Sequence, residues 1–100
     1  MEIRYTAKAR HGLPEIEEFI AQDSPAKAKA FIDRLIRAID RLRKFPQSGS
    51  RLIRDISYRQ AVFYRYRVVY RIDGDRVVIV AVIAPGRELE AVLDDEEDRP

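Results

Sequence analysis

Cysteine is absent from the 100 residues, which removes disulfides, thiolate metal sites and thiol nucleophiles together. Histidine is almost absent: His11 stands alone and cannot by itself form a histidine zinc site. None of the four glycines belongs to a phosphate-cradling loop, and no Glu or Asp pair sits on a common strand pattern for acid–base work. No stretch approaches the roughly 20 apolar residues of a membrane span. The N-terminal twenty residues carry Glu2, Arg4, Lys8, Arg10, Glu15, Glu17 and Glu18, so no signal-like apolar core is found there. These absences point to a cytoplasmic chain without metal, cofactor or membrane partner.

What is present is a foldable chain, 46% apolar and 36% charged, of a length that supports one hydrophobic core. A single domain over residues 1–93 is expected, followed by an acidic disordered tail over 94–100. The net charge of +2 conceals an asymmetry: residues 1–23 sum to −2, residues 24–73 to +9, residues 74–87 to +1 and residues 88–100 to −6. A basic body with an acidic end suits an anionic partner, whether nucleic acid or an acidic protein segment.

Hydrophobic periodicity orders the elements. Ile3 and Tyr5 alternate with Arg4 as in a short strand, and Thr6 is placed to cap a helix. Ala9, Leu13, Ile16, Phe19 and Ile20 recur at helical spacing, but Pro14 predicts a regular helix only from about that residue to Ala21. Ser24-Pro25 is a helix start, and Ala28, Phe31, Ile32, Leu35, Ala38, Ile39, Leu42 and Phe45 form one apolar stripe ended by Pro46. The short link between the two helices makes them an antiparallel hairpin. Past the turn cluster Gln47–Ser50 the period becomes two, predicting strands at Tyr58–Tyr64, Tyr66–Ile72 and Arg76–Ala84, with Asp73-Gly74-Asp75 as a hairpin turn. The run from Val77 to Ile83 is apolar on both faces and should lie between the preceding strand and the N-terminal one. The expected fold is α+β: an N-terminal strand, a helical hairpin and a three-stranded antiparallel meander in one sheet, with both helices on one face.

On the strand from Tyr66, alternation sends Tyr66, Val68, Tyr70 and Ile72 to one side and Arg67, Val69 and Arg71 to the other. If the helices cover the apolar side, Arg67 and Arg71, with Arg59 and Phe63 assigned to the same side by parity, form an open arginine-rich face suited to phosphates or stacked bases. A second basic array, Arg34, Arg37, Arg41 and Lys44, follows one face of the second helix. Asp33–Arg37 and Asp40–Lys44 pairs would neutralise part of it.

Phe45-Pro46 with Gly49, then Tyr66-Arg67-Val68-Val69-Tyr70, Asp73-Gly74-Asp75, an apolar strand and Gly86-Arg87, in this order, resemble the RelE/ParE toxin superfamily over roughly residues 2–90. The resemblance implies the toxin of a bacterial or archaeal type II toxin–antitoxin pair, neutralised by a small antitoxin that wraps around it. It also implies roles in growth inhibition and plasmid stabilisation. Arg67 matches the arginine of the family's Tyr-Arg strand motif, and Arg87 falls at the basic cluster after the last strand. The nuclease branch continues with further cations and a tyrosine, whereas this chain continues Glu88-Leu89-Glu90-Ala91-Val92. The departure favours a ParE-like toxin that inhibits DNA gyrase by binding, with Arg59, Phe63, Arg67, Arg71 and Arg87 as target- or antitoxin-binding residues. The alternatives are a RelE-like endonuclease acting on messenger RNA at the ribosome, with Arg67 and Arg87 as its candidate catalytic residues, and a non-toxic orphan interaction module. A homodimer and a toxin–antitoxin hetero-oligomer both stay open.

Overall fold

The computed structural model describes residues 1–53 and 55–87. Strand β1 spans Glu2–Tyr5, helices α1 and α2 span Ala7–Ala21 and Pro25–Asp40, and β2 to β5 span Ser50–Arg51, Tyr58–Phe63, Tyr66–Asp73 and Arg76–Ile83. The sheet order is β1-β5-β4-β3-β2. The apolar strand β5 is therefore flanked by β4, antiparallel, and by β1, parallel, as its two-sided hydrophobicity requires. The predicted α+β architecture is the one observed, with β2 added as a short edge strand that begins at Ser50, the last residue of the predicted turn cluster.

Thr6 starts α1: its Oγ1 accepts from the Ala9 N–H at 3.2 Å and its hydroxyl donates to the Val80 carbonyl at 3.3 Å, so one side chain caps the helix and ties it to the sheet. Contrary to the expectation of a late start, α1 begins at Ala7 and includes Pro14. The missing proline N–H removes one rung of the helical ladder, and the cap together with the packing of Ala9 and Leu13 on the core holds the first turns in place. Ser24 caps α2 by accepting from Lys27 N–H, with Pro25 at the first helical position. That helix ends at Asp40 and tightens into a 3₁₀ turn over Arg41–Arg43, a turn earlier than Pro46 suggested.

The hairpin covers one face of the sheet. Leu35, Ile39 and Leu42 from the α2 side and Ala9 from α1 pack with Val68, Tyr70, Val77 and Ile79 in a single buried cluster. On the opposite face Leu52, Tyr58, Val69, Val78, Val80, Ala81 and Ile83 form a second cluster. An irregularity in the β4–β5 ladder, where Tyr70 faces Ile79 but Val69 faces Ala81, inserts Val80 as an extra residue. This bulge shifts the alternation by one, which puts the consecutive residues Val80 and Ala81 into the same cluster.

Candidate functional site

The two-residue hairpin turn between β3 and β4 decides where the candidate arginines lie. It pairs Phe63 with Tyr66, Val62 with Arg67 and Arg59 with Tyr70. Directly paired residues share a face. Arg59 and Phe63 therefore lie on the helix side with Tyr70 and Tyr66, not beside Arg67 and Arg71 as parity alone suggested. A two-residue loop joins odd positions of one strand to even positions of the next.

Arg59 acts on the chain's own loop. Its Nη1 donates to the carbonyls of Gly49 at 2.8 Å and Gln47 at 3.3 Å. Beside it, the hydroxyl of wholly buried Tyr70 donates to the Pro46 carbonyl at 2.7 Å and accepts from the Gly49 N–H at 2.9 Å. A Cβ on Gly49 would come within 2.5 Å of that hydroxyl and 2.7 Å of the Gln60 carbonyl, so only glycine fits. The Pro46 to Gly49 connection and the last tyrosine of the Tyr-Arg strand motif are thus two halves of one lock. Phe63 is partly buried against the helix-side core.

Arg67 is exposed on the opposite face, between Val62 and Ile83, and Arg71 is half-buried on the same face. That face is not the open basic surface expected, because Val69 and Val80 are wholly buried within it. On α2, Asp33 pairs with Lys29 at 3.7 Å and Asp40 with Arg43 at 2.9 Å, in place of the Arg37 and Lys44 pairings anticipated. Arg34 stacks its guanidinium 5.3 Å from the centre of the Tyr64 ring. Phe31 packs edge-on to Tyr64 and tilted against Tyr66, with centroids 6.0 and 5.1 Å apart.

Arg87 belongs elsewhere. It lines a cleft of about 1180 Å³ that runs along α1 and the end of β5, together with Lys8, His11, Glu15, Phe19, Tyr66 and Val82. Its floor is apolar, its rim carries cations, and its volume exceeds what a single small molecule needs. Phe19, read from the sequence as a core residue, is 70% exposed at its side. Sequence reasoning passed over this group, although Lys8, His11, Glu15 and Phe19 recur every three or four residues and so share one helical face. The missing signal was the strand end opposite, which no local pattern supplies. Among the described residues no cluster of three or more His, Asp or Glu is placed to hold a metal, and no helix is long and apolar enough to cross a membrane.

The order of elements, the lock and the cleft define a small α+β domain of a five-stranded sheet and a helical hairpin. The family of ParE toxins of type II toxin–antitoxin systems, parDE, matches residues 3–89, and the chain belongs to that family. Among solved structures it is similar to one described as a chromosomal ParDE TA system from P. aeruginosa, with a TM-score of 0.75 and 19% identity, covering 85% of this chain and 96% of the other. No curated protein sequence matches the chain significantly.

Proposed function

We propose that this ParE-family toxin arrests growth by binding DNA gyrase in the cytoplasm, and that a cognate antitoxin silences it by occupying the same surfaces. The observation that carries the reading is the separation of Arg67 from Arg87. The former stands on the face away from the helices, and the latter lines the cleft beneath α1. An RNA-cleaving centre needs a proton acceptor and charge-stabilising groups around one phosphate; His11 and Glu15 line the cleft with Arg87, whereas Arg67 lies on the other face of the sheet from these acceptors. Two separate basic positions, each beside apolar surface, instead suit a partner that wraps around the domain.

Purified protein should inhibit gyrase supercoiling, or trap cleaved DNA, while leaving ribosome-bound messenger RNA intact. Growth should stop when it is expressed alone and resume with its antitoxin. Codon-specific cleavage of messenger RNA with unaffected gyrase would overturn this reading and establish the endonuclease.

A further inference from the structure

The basic array on α2 changes character once its neighbours are placed. Pairing of Asp33 with Arg37 and of Asp40 with Lys44 would have neutralised half of it. Asp33 lies instead against Lys29, and Asp40 accepts two hydrogen bonds from the Arg43 guanidinium, at 2.9 and 3.2 Å. Lys27, Arg34, Arg37, Arg41 and Lys44 are all exposed. Among the described residues Lys27, Arg37, Arg41 and Lys44 have no ion pair, and Arg34 is oriented by its stacking on Tyr64.

Helical geometry aligns these cations. Lys27, Arg34 and Arg41 stand seven residues apart, so they form one nearly straight line with steps of about 10 Å. Arg37 lies one turn beyond Arg34, and Lys44 one turn beyond Arg41 in the 3₁₀ segment. The aspartates sit past Arg37, and their ion pairs draw them to the far flank with Lys29 and Arg43. One side of the helix is left with cations only.

The surroundings of the row identify its ligand. Between the cations the helix presents exposed Ala26 and Ala30, while Ile32, Leu35 and Ile39 are buried on the opposite side and half-exposed Ile36 falls on the flank of Lys29. A protein interface is built on an apolar core, which this row does not offer. A phosphate backbone requires only positive charge held in place. Unstacked bases need free ring faces, but Tyr64, the ring that meets the row, is engaged by Arg34 and edge-on by Phe31. These features together select a duplex over a single strand or an acidic peptide.

We propose that the exposed side of α2 is a DNA-docking edge that binds the phosphates of duplex DNA without reading their sequence. A duplex carries one charge per about 1.7 Å of axis, so the roughly 21 Å from Lys27 to Arg41 runs alongside about twelve of them. The docking needs no gyrase. Its consequence, that a toxin held on DNA is concentrated near an enzyme that works on DNA, rests on the gyrase reading above.

Fluorescence anisotropy of a labelled mixed-sequence duplex, titrated with the full chain in the absence of gyrase, tests the edge by itself. Between about 50 and 200 mM salt, the logarithm of the binding constant should fall against the logarithm of salt with a slope of about −4, the value for four to five phosphates. Combining Arg34→Gln, Arg37→Gln and Arg41→Gln should flatten that slope by about 2.7 and lower affinity at least about tenfold at the lowest salt. Arg37→Gln alone should flatten it by about 0.9. Arg76→Gln removes an equal charge from the sheet face away from the helices and should leave the slope unchanged. All three variants replace exposed side chains, and their thermal melting should match the native chain. Equal flattening by Arg37→Gln and Arg76→Gln would reduce the row to net charge and overturn the proposal. So would absence of binding at the lowest salt, or binding to poly-glutamate or to a single strand of the same length as tight as to the duplex.

Discussion

Tyr70 shows how much one side chain contributes here. Its hydroxyl serves a buried N–H and a carbonyl of the loop that carries the chain from the helices into the sheet. Tyr70→Phe leaves both without that partner and should cost about 1–3 kcal/mol. In a domain of this size each kcal/mol lowers the melting temperature by about 4–8 °C, so thermal unfolding will show it. Gly49→Ala should do at least as much harm, through its collision with the same hydroxyl. Tyr5 makes a different prediction. Burial raises its phenol above the ordinary tyrosine value, Asp40 adds to the rise, and Arg43 opposes it. The unfolded chain therefore loses this proton at lower pH than the folded one, and stability is intact below about pH 10 and falls as pH climbs toward the raised value. Urea titrations at pH 9 and above should show this fall in the native chain and a shallower one in Tyr5→Phe.

At the scale of elements, the β3–β4 hairpin turns on Tyr64 and Arg65 with φ of 54° and 73°, left-handed at both central positions without a glycine. Two facing strands demand this turn because its twist matches theirs, and Tyr64 is held by Phe31 and Arg34. Arg65 is exposed, and among the described residues no ring or cation contact holds it as Phe31 and Arg34 hold Tyr64. Arg65→Gly should therefore stabilise the fold by about 0.5–1 kcal/mol, the left-handed cost of a side chain less the extra entropy glycine loses. Denaturant midpoints of the two proteins would measure it, and a destabilised variant would mean that the arginine side chain holds the turn. In α1 the same competition runs the other way: a cap and a buried face outweigh an interior proline.

For the whole molecule, the cations divide into those that hold the fold and those free to meet a partner. Arg59→Ala should destabilise the protein by about 1–3 kcal/mol, because it removes the donor to two loop carbonyls. Exposed Arg67→Ala should leave stability within about 0.5 kcal/mol. If Arg67 is a buried anchor in the complex, the same change should weaken gyrase or antitoxin binding by about 2–4 kcal/mol. Calorimetric unfolding beside binding measurements separates the two effects, and equal effects of both variants on both quantities would undo the division.

Much of this was legible in the chain alone. The caps at Thr6 and Ser24, the α2 stripe, the change of period after Gly49 and the two-faced apolar strand β5 are local patterns, and local patterns are what helices, strands and layer order respond to. The expected tail over 94–100 lies outside the described residues. What the sequence could not decide was register. A two-residue turn moved Arg59 and Phe63 to the helix side, one inserted residue at Val80 redirected the rest of β5, and a strand end meeting α1 made a cleft from residues seventy positions apart. Each depends on how strands pair across the sheet, and with a side-chain period of two, a shift of a single residue exchanges one face for the other.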